Sequence, residues 1–189
     1  PEGGRLWHFD RSVVSTDGIQ PESGAVYTLR PDEGKFGGAV AVEESTVNLV
    51  SNPASWVAST NPYQTTVETD ERFLGCVVSE TTKISSATPT SQLGSTLTIQ
   101  PGETYTASIY VKIIKRGEEP SYLPIIIFWK SDSSGSLATG TAANIIGEWQ
   151  RVIATYTNDT DEPIPVNIFY YPTSEAGAIT RQAAPQVEK

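Results

Sequence analysis

Methionine is absent from the 189 residues, and cysteine and histidine occur once each. Each scarcity removes a class of chemistry. A single cysteine, Cys76, cannot form an intrachain disulfide and gives no sign of an oxidising compartment. Within the apolar run Phe73-Leu74-Gly75-Cys76-Val77-Val78 it reads as a small buried hydrophobe rather than a reactive thiol. A His-based zinc site is excluded by counting, since such sites draw on several His or Cys ligands. Any Ser-His-Asp or Cys-His device would have to use His8, which reads more plainly as a histidine packed among its neighbours Trp7 and Phe9. The lack of methionine at position 1 is expected of a processed product or a piece of something longer, and no secretory apolar segment opens Pro1-Glu2-Gly3-Gly4-Arg5.

Long hydrophobic runs are missing too. The longest, Leu123 to Trp129, is far too short to span a bilayer. Positive charge is scarce: 13 Lys and Arg against 22 Asp and Glu leave a net charge of −9 and a pI near 4.6. Such a surface repels phosphate backbones, and no basic stripe with interleaved aromatics offsets it, so nucleic acid is excluded as a partner. Uncharged or cationic ligands, metal ions included, suit it better. Hydrophobic residues at 38% and charged residues at 19% describe a globular chain with a sizeable core.

Helical periodicity is the last absence. Between recurring Gly and Pro lie short runs rich in Val, Ile, Thr and Tyr that alternate with period two. In Tyr105 to Ile113 the odd positions Tyr105, Ala107, Ile109, Val111 and Ile113 form an apolar face, and Thr106, Ser108, Tyr110 and Lys112 form the other. Val152, Ala154 and Tyr156 likewise face inward within 150–157, as do Ile164, Val166, Ile168 and Tyr170 within 164–171. Leu123 to Trp129 is apolar on both faces, as expected of a central strand or one whose second face carries a site. Trp149, opening a strand, is assigned to the core. Weaker strands are expected at about 25–29, 37–42, 46–50, 65–69, 72–79, 95–99 and 180–187. Turn chemistry separates them at Gln100-Pro101-Gly102-Glu103, Ser131 to Gly135 and Asn158 to Asp161. Many short strands without helices predict an all-β, antiparallel β-sandwich of jelly-roll type. One boundary is drawn near residue 45, between a lead-in (1–45) of short strands or an arm, and the sandwich (46–189).

The order of certain segments resembles a known family. Asn48-Leu49-Val50-Ser51-Asn52-Pro53 followed by Trp56 looks like the opening strand of carbohydrate-binding modules of the family 4, 9 and 22 type, with a galactose-binding-like jelly roll. Pro101 to Lys112 resembles their middle strand, and Glu148-Trp149-Gln150-Arg151-Val152 the strand that follows. Ala183 to Glu188 is similar to the closing strand as found in bacteriophage tail and other structural proteins. The match covers roughly residues 46 to 188, and the lead-in more loosely resembles phage and bacterial lectin-like segments.

Sugars are held by aromatic rings that stack on their apolar faces, with polar groups that set orientation. The outward residues Tyr110, Lys112, Phe169 and Tyr171 offer such a surface, joined by Phe128 or Trp129 according to register. Trp56 adds a platform at the sheet edge. The expected ligand-contacting set is therefore Trp56, Tyr110, Lys112, Trp129 and Tyr171. The resemblance also implies a structural calcium ion between the first and last strands. Glu43 or Glu44, Asn48, Gln186 and Glu188 stand at matching positions, Glu43, Asn48 and Glu188 foremost. Ala54-Ser55 replaces the Phe-Glu usual after Asn-Pro, which leaves one acidic ligand fewer.

No catalytic residues are assigned, because Glu43-Glu44 and Glu118-Glu119 sit beside turns, where solvated acids are ordinary, although paired carboxylates serve glycoside hydrolysis. The function expected is a non-catalytic module of a virion or cell-surface protein that contacts glycans. A purely structural or oligomerising virion module and a glycoside hydrolase are the alternatives. Expected partners are a polysaccharide or cell-surface glycan, other virion or parent-protein domains, and further copies in a homo-oligomer.

Overall fold

The computed structural model describes residues 47–85, 90–117, 123–141, 145–173 and 175–189. The expectations placed on the lead-in, including the strands at 25–29 and 37–42, His8 and Glu43, lie outside them. Among the described residues ten strands run in order: β1 (Gln64–Phe73), β2 (Cys76–Lys83), β3 (Ser91–Gln92), β4 (Leu97–Ile99), β5 (Thr104–Lys115), β6 (Ile125–Lys130), β7 (Ser136–Thr141), β8 (Trp149–Thr157), β9 (Ile164–Tyr171) and β10 (Ile179–Glu188). The described residues contain no α-helix, only a short 3-10 turn at Pro53–Ser55. The strands form two antiparallel sheets, one ordered β1-β2-β10-β5-β8 and the other β3-β9-β6-β7, with β4 also paired to β9.

The core lies where the apolar faces meet. Ala107, Ile109 and Val111 of β5 and Val152 and Ala154 of β8 pack against Ile126 and Phe128 of β6 and Val166, Ile168 and Tyr170 of β9. Alternation predicts this division, because side chains along a strand point to opposite faces. The interior turns polar beneath β2 and β10, where Gln182 Nε2 donates to Ser79 Oγ at 2.9 Å and to Thr81 Oγ1 at 2.7 Å. β7 approaches β8 closely at Gly140. A Cβ on Gly140 would sit 2.0 Å from the Ile153 carbonyl oxygen, so only glycine fits.

Several boundaries differ from expectation. The run 72–79 spans a turn: Phe73 pairs with Cys76, and Leu74 and Gly75 form a two-residue hairpin loop at φ 50° and 76°. Strands β3 and β7 were not anticipated, being respectively two residues long and built from Ser-Leu-Ala-Thr-Gly-Thr. Val47 to Val50 form no ladder strand, yet Leu49 donates its amide to Val187 O at 2.8 Å and so follows β10. In β10 an extra residue between Ala183 and Gln186 makes a bulge, with Ala184 at φ 51°, and this accommodates Pro185, which has no amide hydrogen to offer the ladder.

Candidate functional site

Cross-strand register assigns every outward side chain to a face. On the second sheet, Trp129 lies opposite Asn167, Ile127 opposite Phe169, and Ile125 opposite Tyr171, while Gln92 and Thr139 flank the middle row. Paired residues share a face, so Trp129, Phe169 and Tyr171 form one half-buried aromatic and aliphatic surface bordered by amides and hydroxyls. Among the described residues no other ring stacks on these three. Burial raises the Tyr171 phenol above its ordinary pKa, and the neighbouring Trp129 indole draws it partly back. The indole Nε1 is nonetheless buried without a partner at hydrogen-bonding geometry. The indole Nε1 and the Tyr171 phenol lie close to each other on this face.

Asn167 is held from two sides on the same surface. Its Oδ1 accepts from Thr96 Oγ1 at 2.7 Å and from Gln92 Nε2 at 3.3 Å. Both partners come from the β3–β4 region, which the chain brings alongside β9.

The outward face of the first sheet is built differently. Lys112 lies between Arg181 of β10 and Trp149 of β8, and Tyr110 lies opposite Arg151. Phe73 stacks on Trp149 at 4.3 Å and meets Tyr110 at 5.0 Å, while the Arg151 guanidinium sits 5.8 Å from the centre of the Tyr110 ring. Arg181 bridges Glu71 at 2.7 Å and Glu80 at 2.8 Å, and these carboxylates, Glu80 first, raise its pKa further. Ring faces here are occupied by other protein groups. Trp149 is therefore not a core residue: it shares the parity of Arg151 and Ile153, which point outward, rather than that of Val152 and Ala154. Position parity within the strand is the signal that identifies it.

The expected contact residues thus divide. Trp129 and Tyr171 share one outer face, Tyr110 and Lys112 occupy the opposite one, and the structure brings neither pair to the other. Trp56 packs edge-on against buried Tyr170 with centroids 6.5 Å apart, and so belongs to the margin of the core. Asn167 and Gln92 were not anticipated, because nothing local marks an amide held by residues more than 70 positions away.

Of the implied calcium set, Glu43 lies outside the described residues, and Asn48 and Glu188 lie within them. Asn48 Oδ1 accepts from the amides of Val50 at 3.0 Å and Val187 at 3.1 Å, and Nδ2 donates to Pro185 O at 3.0 Å. Both oxygen lone pairs are committed, and the amide donors dictate the orientation of the carboxamide. Asn48 thereby acts as a strap that ties residues 47–50 to β10. No group of three His, Cys, Asp or Glu among the described residues has the spacing to hold a metal. Glu188 is half-buried in the last pairing of β10 with β5, opposite Thr106.

Solved structures of similar fold include carbohydrate-binding modules and larger proteins. A CBM4 module is 18% identical with a TM-score of 0.45, the match covering 67% of this chain and 79% of that one. The CBM22-1 and GH10 modules of a Clostridium thermocellum endo-1,4-β-D-xylanase, complexed with xylohexaose, give 15% identity and a TM-score of 0.47 over 77% of this chain and 28% of that one. The enzymatically active domain of tailspike protein 4 from bacteriophage CBA120 gives 12% and 0.48, over 75% and 21%. No protein-family model and no curated protein matches the chain. The described residues of this chain form a two-sheet antiparallel β-sandwich. No helix among the described residues is long and apolar enough to cross a membrane.

Proposed function

We propose that the chain is a non-catalytic, saccharide-binding module of a virion or cell-surface protein, and that its ligand lies on the outer face of β9 and β6. The observation that carries this reading is the register placing Trp129, Phe169 and Tyr171 on one face, beside the Asn167 and Gln92 amides, with no other described ring covering them. Apolar ring surface next to fixed hydrogen-bonding groups is what a pyranose requires, since its C–H faces stack while its rim of hydroxyls bonds. The opposite face lacks that availability, because Phe73 and Arg151 already cover its rings.

A glycan array followed by titration with intrinsic tryptophan fluorescence tests the proposal. Trp129→Ala is expected to abolish binding of whichever glycans the wild type retains, while Trp149→Ala leaves it unchanged. The reverse pattern would move the ligand to the first sheet, and a wild type that retains no glycan would leave a purely structural module. Release of reducing sugar from a bound glycan would overturn the non-catalytic assignment.

A further inference from the structure

The amide pair on the proposed face carries more information than its aromatic residues. Thr96 and Gln92 both donate to Asn167 Oδ1, which turns the Asn167 NH2 away from them. Among the described residues that nitrogen has no hydrogen-bond partner, and it is not one of the buried unpaired atoms, so it faces outward. Gln92 spends its own NH2 on Asn167, which leaves its carbonyl oxygen facing outward from an exposed residue. One donor and one acceptor are thereby presented side by side, next to Trp129, the cross-strand partner of Asn167. Reversing both amides would exchange the two outward groups and still present one donor beside one acceptor.

We infer that the Asn167–Gln92 pair is the specificity-determining element of this face, and that it selects an uncharged saccharide bearing two adjacent hydroxyls. The inference rests on the saccharide reading above. Each hydroxyl can give or take a hydrogen bond, so one accepts from the amide NH2 while its neighbour donates to the amide oxygen. A carboxylate offers only acceptors and would set its charge against the outward carbonyl. Among the described residues no Lys or Arg shares the outward parity of this face: Lys130, at the end of β6, pairs with buried Val166, and Lys112, Arg151 and Arg181 belong to the opposite sheet. Thr96 acts as a positioning residue, because its hydroxyl holds the amide in one orientation. A site built to bond a hydroxyl discriminates strongly, since the wrong ligand leaves its polar groups unmatched.

Calorimetric titration of the whole chain with cellohexaose, xylohexaose and hexagalacturonate tests this. The wild type is expected to bind at least one neutral hexamer and to bind hexagalacturonate at least about tenfold more weakly. Asn167→Asp keeps the shape and an acceptor for Thr96 and Gln92 but removes the outward donor. Gln92→Met removes the outward acceptor. Each is expected to weaken neutral binding by about tenfold or more, with the thermal midpoint close to wild type, and Thr96→Val to weaken it less. Unchanged affinity in both Asn167→Asp and Gln92→Met, with Trp129→Ala still abolishing binding, would overturn the role of the pair and leave the saccharide reading standing. Tighter binding of hexagalacturonate than of either neutral hexamer would overturn the ligand class. A wild type that binds none of the three takes down the saccharide reading, and this inference with it.

Discussion

Phe73 and Trp149 stack at 4.3 Å although they belong to β1 and β8, the two opposite edges of a five-stranded sheet. The contact exists because the β1–β2 hairpin folds across the outer face. A register shift between Glu68 and Arg72 bends β1, Thr69 Oγ1 donates to Val78 O at 2.9 Å, and Glu71 reaches Arg181 on β10. Val78, fully buried, is covered by the same fold. The hairpin thereby closes one face of the sandwich, whereas no described ring covers Trp129 and Tyr171 on the other.

Removing the ring that makes this contact tests the arrangement. Phe73→Ala is expected to destabilise the protein by about 2 kcal/mol, below the range for fully buried rings because Phe73 is half-buried. Urea unfolding reads the loss, and glycan binding at the second sheet should persist. A change under about 0.5 kcal/mol, the range of ordinary surface substitutions, would mean the arm is not held by its ring.

Leu74 occupies the first central position of the hairpin loop at φ 50°, where asparagine is far better tolerated, and it remains 46% exposed. Leu74→Asn should raise stability by about 1 kcal/mol by relieving left-handed strain. A lower melting midpoint would show instead that the leucine side chain contributes packing that outweighs its backbone cost.

Lys83 is 2% exposed, and burial lowers its pKa from 10.5 to about 8. Below that value the ammonium is charged in both folded and unfolded chains, and its desolvation opposes folding in full. As the pH rises from about 8 towards 10.5 the folded state gives up the proton first, so this group makes folding more favourable. Denaturant midpoints measured across that interval should show a rising contribution that Lys83→Met eliminates. An identical pH profile in the variant would assign the slope to other groups.

The strap formed by Asn48 ties residues 47–50 to β10 through protein groups alone, so this tie is expected to hold without a divalent cation. Chelation is expected to leave the melting temperature unchanged, whereas Asn48→Ala should cost about 1–3 kcal/mol, because the Val50 and Val187 amides lose their acceptor. A midpoint that drops on chelation and recovers with added calcium would reject this account.

Alternation alone was enough to recover the interior of β5, β8 and β9, because a period of two maps directly onto inward and outward faces. Trp149 shows how the same rule is lost when residue type is preferred over position: parity places it outside, and burial statistics for tryptophan suggest the opposite. The hairpin at Leu74 escaped notice because its loop lacks the asparagine that usually marks such turns. β7 is a weak local signal that exists because Gly140 permits close approach to β8. The candidate site was legible only as a set of outward aromatics, since a strand pattern says which residues leave the core but not which sheet carries them.

The amino-acid order by itself determined that this chain builds antiparallel strands around an apolar layer, since side-chain alternation is a local property of extended backbone. Which outward residues meet was decided by strand pairing between segments far apart in the chain. Pairing set Tyr110 and Lys112 on one side and Trp129 and Tyr171 on the other, and it delivered Thr96 and Gln92 to Asn167. The sheet order that governs those meetings comes from packing the whole chain at once, where burial of two apolar faces outweighs any preference a single segment carries.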